Sequence, residues 1–162
     1  MTRPVIRPAE GSADMAAVRE LFEEYQAAIG VDLCFQGFEE ELATLPGHYA
    51  PPRGCLFLAV DGDKAAGVVG IRPLEETAAG KSRAEIKRLY VRAFWRRLGL
   101  GRQLAVRAIA AARAAGYEIL CLDTLEFMAE ARALYQSLGF SETPAYYDNP
   151  LDGVVYMERS LG

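Results

Sequence analysis

A single-domain fold of the mixed α/β (α+β) class is predicted by three features of this 162-residue chain. Cys55–Val60 and Gly67–Ile71 are apolar runs that flank Asp61-Gly62-Asp63-Lys64, and Asp-Gly between such runs signals an antiparallel hairpin. Glu85–Val91 alternates apolar and polar side chains through Leu89, so it reads as a third strand that extends the hairpin into a meander. A glycine turn, a helix and the apolar strand Ile119–Leu122 follow, a crossover unit that sets the strands at Glu85 and Ile119 parallel.

The remaining elements follow in chain order. Val5-Ile6-Arg7 is a short first strand ended by Pro8. Asp14 is the expected N-cap of a helix striped by Met15, Val18, Leu21, Phe22, Tyr25 and Ile29 and stopped by Gly30, and the stripe reads as core. A shorter helix is expected from Phe38 to Leu45, opened by Glu39, Glu40 and Glu41 and closed by Pro46-Gly47. Its acidic run reads first as a solvated helix face and second as a lure for a cationic substrate. The polar segment from Glu75 to Arg83 is a loop. Met128, Ala131, Leu134, Tyr135 and Leu138 stripe a further helix that ends at Gly139. Phe140 begins another strand, Tyr146 to Gly153 is a loop, and Val154–Met157 is the last strand. No repeat or linker interrupts residues 1–162, which form one domain long enough to bury a core.

Composition narrows the class of function. A hydrophobic fraction of 51% with a net charge of −4 describes a folded chain and argues against a dedicated nucleic-acid binder. Half of the 18 Lys and Arg nevertheless fall between Lys81 and Arg107, where Glu85 is the only acid, so a small anionic ligand is expected there. Cys34, Cys55 and Cys121 have neither disulfide-framework nor metal-ligand spacing. The first residues lack a signal-peptide core and no apolar run approaches the ~18 residues of a membrane span, so a cytoplasmic setting without membrane contact is expected.

Chemistry concentrates between Glu85 and Leu104. The run Arg96-Arg97-Leu98-Gly99-Leu100-Gly101-Arg102 joins a strand to a helix, and a helix N-terminus attracts anions through unpaired N–H groups and its dipole. Gly99 and Gly101 leave room for a pyrophosphate, while Arg96, Arg97 and Arg102 offer charged donors. It is neither a Walker loop, lacking Gly-Lys-Ser/Thr, nor the dinucleotide fingerprint, lacking the third glycine.

Arg96-x-x-Gly99-x-Gly101 after the Glu85–Val91 strand resembles the acyl-CoA-binding motif of the GNAT superfamily of N-acetyltransferases, written Gln/Arg-x-x-Gly-x-Gly/Ala. Leu134-Tyr135-Gln136-Ser137-Leu138-Gly139-Phe140 is similar to that family's closing helix-to-strand motif. The resemblance implies a mostly antiparallel sheet of six to seven strands with a central splayed parallel pair, flanked by about four helices. It also implies acetyl-CoA lying between the splayed strands, its pantetheine arm along Leu89, Tyr90 and Val91 and its pyrophosphate on the turn from Arg96 through Leu98 and Leu100 to Arg102.

Acetyl transfer to an amine of pKa ~10.4 needs a base, because only about one part in a thousand is neutral at pH 7. Glu85 matches the position from which some family members activate the amine through a water; otherwise it is a strand carboxylate paired with Lys87. Glu75 and Glu76 are alternative bases, and His48, the only histidine, shows no orienting partner. Tyr135 matches the family tyrosine that protonates the leaving thiolate, or else packs the core. Neither role requires a metal. Partners implied are acetyl-CoA and an amine drawn from small metabolites, antibiotics or protein amines, with 30–52 and 146–152 lining the acceptor side. A homodimer is left open. A non-catalytic acyl-CoA-binding module is the alternative.

Overall fold

The computed structural model describes residues 3–30, 33 and 37–162. Its seven-stranded sheet comprises β1 (Val5–Pro8), β2 (Cys55–Asp61), β3 (Lys64–Leu74), β4 (Arg83–Val91), β5 (Ile119–Leu125), β6 (Ser141–Thr143) and β7 (Val154–Ser160). They lie in the order β1-β2-β3-β4-β5-β7-β6, every neighbouring pair antiparallel except β4 and β5. The hairpin, the meander and the crossover all form as the sequence predicts. Among the described residues four α-helices complete the fold: α1 (Gly11–Ile29), α2 (Phe38–Ala43), α3 (Leu100–Ala114) and α4 (Ala129–Ser137).

Strand periodicity divides the core between the two faces of the sheet. Phe57, Ala59, Val69, Ile71, Ala84 and Ile86 turn to one face, where α3 and α4 cover them with Leu104, Ala108 and Tyr135. Leu56, Leu58 and Val68 turn to the other, against Val18, Leu21 and Phe22 of α1 and Phe38 of α2. Cover on both faces is why β2 reads as a continuous apolar run. Among the described residues, no helix is long and apolar enough to cross a membrane. Cys55 and Cys121 are free thiols, and Cys34 lies outside the described residues.

Strands β3, β5 and β7 run longer than their apolar runs, to Leu74, Leu125 and Ser160, and three other boundaries differ from expectation for local reasons. Helix α1 starts at Gly11, three residues before Asp14; the Asp14 carboxylate sits in the first turn, accepts the Glu10 N–H at 2.8 Å and pairs with Arg7 at 3.0 Å. Helix α2 ends at Ala43, where the Thr44 hydroxyl folds back to donate to the Glu40 carbonyl at 2.8 Å. Phe140 precedes β6 and is a core residue, its ring set edge-on to Tyr135 at 5.7 Å.

Gly70 on β3 lets Tyr49 lie flat on the sheet. A Cβ there would sit 2.7 Å from Tyr49 Cε1 and 2.8 Å from Cδ1, and the fully buried ring cannot yield. Gly70→Ala is therefore expected to destabilise the fold by roughly 1–3 kcal/mol through overpacking. Urea unfolding should show a lower midpoint with an unchanged slope; an unshifted midpoint would mean the ring has room to move.

Candidate active site

The site begins where the sheet comes apart. Strands β4 and β5 pair only at Arg83 with Ile119, Ala84 with Leu120 and Glu85 with Cys121. Beyond that, β5 goes on pairing with β7 as far as Leu125 with Val154, while β4 has β3 alone as a neighbour. On the β3 side the register slips: Val68 faces Tyr90 and Gly70 faces Lys87, which leaves Arg88 and Leu89 together opposite Val69. Arg88 has φ +60°, a left-handed backbone. The alternation expected through Leu89 therefore holds only to Lys87.

The gap between β4 and β5 is a cleft lined by Lys87 and Leu89 on one wall, Asp123 and Thr124 on the other, and Met128 and Tyr135 at its end. Tyr135 is buried, and that burial pushes its phenol above the ordinary tyrosine range. Among the described residues its hydroxyl has no hydrogen-bond partner. Tyr25 of α1 also borders the cleft, its phenol pushed up to about 12 by burial.

At the end of β4 the chain turns through a short 3-10 segment, Ala93–Trp95, into α3. Gly99 caps α3 at φ +78°, and the first helical bond runs from Gln103 N–H to the Gly99 carbonyl at 3.1 Å. The N–H groups from Gly99 to Arg102 precede that bond and have no partner in the helix. A Cβ at Gly99 would meet nothing within 4 Å, so the glycine serves the backbone conformation and leaves open space in front of the helix. A branched residue there would strain the backbone as well as fill that space. Gly101 lies against Val91, Leu100 is buried and anchors the turn, and Leu98 is exposed.

Most of the basic segment is engaged internally. Arg83 Nε donates to the Glu75 carbonyl, Lys87 pairs with Asp123, Arg88 with Glu41 and Arg92 with Glu24. Exposed at the turn are Arg96, Arg97 and Arg102. Arg96 Nε holds the Val91 carbonyl at 2.8 Å, Arg102 reaches Ser137 Oγ at 2.8 Å, and Arg97 takes φ +66°. Tyr90 turns away toward α1, its hydroxyl 3.4 Å from Glu24 and its ring edge-on to Tyr25.

Glu85 is fully buried on the α1 and α2 face of the sheet. Its Oε1 accepts Arg72 Nε at 3.0 Å, its Oε2 accepts the Tyr146 hydroxyl, and Lys87 Nζ lies 3.6 Å from Oε2. Lys87 Nζ also sits 3.1 Å from Asp123 Oδ1, while the Tyr147 hydroxyl donates to Oδ2. Burial alone would raise the Asp123 pKa, but Lys87 and the Tyr147 hydroxyl outweigh it and hold the carboxyl below its ordinary range. Burial, then the Glu85 carboxylate, pushes the Tyr146 phenol well above its usual value. This network lies between the cleft and a second pocket of about 380 Å³ lined by Arg72, Glu75, Arg83, Glu85, Tyr146 and Tyr147.

The expected pairing of Glu85 with Lys87 is present, at 3.6 Å, beside the contacts to Arg72 and Tyr146. Sequence reasoning missed Asp123 and Arg72, although Asp123 is a lone carboxylate following the apolar run Ile119–Leu122, which is itself a signal. Glu39 and Glu40 are exposed, as a solvated face requires, whereas Glu41 turns inward. Glu75, Glu76 and His48 are exposed, and only Glu75 borders the second pocket. Among the described residues, no three His, Cys, Asp or Glu side chains gather as a metal site would need.

Residues 15–140 match the family described as acetyltransferase (GNAT). An uncharacterized N-acetyltransferase of Schizosaccharomyces pombe is 39% identical over 91% of this chain and 89% of its own length. Human N-acetyltransferase 8 is 32% identical over 64% of this chain and 46% of its own. Among solved structures, an acetyltransferase from Streptococcus agalactiae superposes with a TM-score of 0.79 at 19% identity over 99% of this chain and all of that one. The yncA protein of Salmonella typhimurium, solved with its cofactor acetyl-CoA, gives 0.73 at 20% over 99% and 95%. Both are likenesses of fold.

Because the Asp123 carboxyl is held below its unfolded value of ~3.9, its ionised form stabilises the fold above that pH, and the contribution is lost as pH falls through the folded value. Asp123→Asn leaves Lys87 short of one buried partner and should destabilise by roughly 3 kcal/mol at neutral pH. The gap to the parent should narrow below pH ~4. A gap that stays constant into acid would show that the Asp123 charge contributes nothing to the fold.

Proposed function

The chain belongs to the acetyltransferase (GNAT) family, and from that membership we propose that it transfers the acetyl group of acetyl-CoA directly to a primary amine. The observation that carries the reading is the cleft between β4 and β5, which has the glycine turn near one end and Tyr135 near the other. Open space before Gly99, with unpaired N–H groups behind it, fits a pyrophosphate, and Arg96, Arg97 and Arg102 are the cations that would join it. Leu89, Tyr90 and Val91 would hold the pantetheine arm along the free edge of β4, as an added strand holds to a sheet. When bound, acetyl-CoA supplies an activated thioester.

The protein's own groups then do three things. Backbone N–H groups on the free edge of β4 hydrogen-bond the carbonyl oxygen where negative charge grows. Tyr135 keeps a proton on its hydroxyl, which burial favours, and delivers it to the sulfur as the carbon–sulfur bond breaks. Glu85 takes the proton that the amine nitrogen loses as its bond to the acetyl carbon forms. Its enclosure by Arg72 and Tyr146 means that this proton arrives through a water or the Tyr146 hydroxyl, not by contact. Glu75, at the mouth of the second pocket, is the substitute base. The amine enters from the α1 and α2 face, past the loop bearing Tyr146 and Tyr147.

Thiol release from acetyl-CoA across a panel of small amines and peptides tests the reading, with calorimetric CoA binding alongside. Tight binding without turnover would replace it with a non-catalytic acyl-CoA module. Tyr135→Phe should bind CoA as the parent does and lose ~10²-fold or more in kcat, since the hydroxyl acts only when charge develops on sulfur. A kcat within about threefold, with chemistry rate-limiting, would return Tyr135 to core packing. For Glu85→Gln the expected result is retained affinity and a fall in turnover that shrinks as pH rises, because more amine then arrives neutral. An unchanged pH profile would move the base to Glu75, Glu76 or bulk water.

A further inference from the structure

We infer that Glu41 and Arg88 are a positioning pair, which fixes the β4 bulge at the thioester pocket and couples it mechanically to α2. The inference rests on the acyltransferase reading for its catalytic consequence and on geometry for everything else.

An L-residue other than glycine disfavours the left-handed backbone, and a bulge that needs it commonly recruits glycine. Position 88 carries arginine at φ +60°. Such a conformation persists only where the surroundings over-determine it, and here those surroundings are specific. Arg88 is 4% exposed, and its Nε and one Nη each meet a different oxygen of Glu41 at 3.1 Å. The guanidinium also lies over the rings of Phe38 at 5.2 Å and Tyr25 at 6.0 Å. Glu41 is fixed from behind by the Tyr49 hydroxyl at 3.0 Å. A two-point bond between planar groups sets direction as well as distance, so Arg88 is drawn out of the strand's alternation toward α2.

What the bulge moves is the backbone that faces the cleft. Leu89, the next residue, lines the cleft with Tyr135, and from Ile86 onward β4 has no β5 partner to hold its edge. With hydrogen bonding absent on that side, the shape of residues 88 and 89 depends on β3 and on where the Arg88 side chain is tied. It is tied to a helix that belongs to the acceptor side of the sheet. Helix α2 and the Gly47–Tyr49 turn wall a pocket with Glu40, Glu41, His48 and Arg72, so a displacement of α2 there is transmitted through Glu41 to the bulge. Arg88 and Glu41 act through the backbone and touch no reacting atom.

Arg88→Gly is the informative variant because glycine accepts φ +60° without strain and removes only the tie. Glu41→Gln weakens the tie from the other end, and the double variant leaves neither charge buried without its partner. For all three, folding is checked by the unfolding midpoint. Amide hydrogen exchange of the ligand-free protein should accelerate at least tenfold at Leu89–Val91 and stay unchanged in β5 and β7. With an amine that the parent acetylates, kcat should fall tenfold or more while the KM for acetyl-CoA stays within about threefold. The double variant should be no worse than Arg88→Gly alone, as expected when both residues serve one interaction. Parent-like exchange, faster exchange with unchanged kcat, or additive losses in the double variant would each overturn the pair as a positioning device. If the parent itself turns over no amine, it is the acyltransferase reading that fails, and the exchange data still decide whether the pair fixes the bulge.

Discussion

Parallel pairing between β4 and β5 stops at Glu85 and Cys121, and a sheet divided at its centre must hold its halves together by other means. On one face α3 and α4 span the division, packing Leu104, Ala108 and Tyr135 against strands from both sides of it. On the other face the crossing is polar: Lys87 of β4 reaches Asp123 of β5, and the adjacent Tyr146 and Tyr147 donate to Glu85 and Asp123 respectively. One dipeptide therefore ties down a carboxylate on each separated strand. Buried ionic networks gain little net stability over apolar packing, but once satisfied they admit few alternative geometries. That suits a cleft whose width must be fixed while its backbone edges stay free.

Charge placement follows from the same division. The basic stretch from Lys81 to Arg107 reads in the sequence as a single patch, yet the fold divides it by location. Lys87, Arg88 and Arg92 turn to the α1 and α2 side and meet Asp123, Glu41 and Glu24. Past the end of β4, Arg96, Arg97 and Arg102 are exposed on the turn that leads into α3. A chain of net charge −4 thus keeps a local group of exposed cations at the turn, while Lys87, Arg88 and Arg92 are matched by internal acids.

How much of this is legible in the sequence depends on the range of the interaction that sets it. The hairpin at Asp61-Gly62, the crossover and the glycine turn are local patterns, and each is present where it reads. The break in β4 is also local in origin: Lys87-Arg88 places two polar residues in succession, which is how a bulge announces itself in an alternating strand. What gives Arg88 its partner lies 47 residues away, and Lys87 finds Asp123 at a separation of 36, distances at which periodicity carries no information. Glu41 shows the limit most clearly. In the run Glu39-Glu40-Glu41 three like residues are indistinguishable by composition, and only the packing of Phe38 against α1 decides which one faces inward.

Three left-handed residues bracket the cleft and its turn, and their identities separate two uses of one backbone shape. At Gly99 the conformation comes with no side chain, and the space before the helix stays open. At Arg88 the same conformation is needed with a side chain, because the strain is held by what the guanidinium grips and glycine would provide no grip. Arg97, exposed on the turn, takes the shape with its charge directed away from the core. A strained backbone held by a distant ion pair responds to movement at the far end of that pair, whereas a glycine turn does not. The two devices thus assign different properties to the two ends of the cleft: fixed shape where the phosphates would lie, and coupling to the acceptor side where the thioester would react.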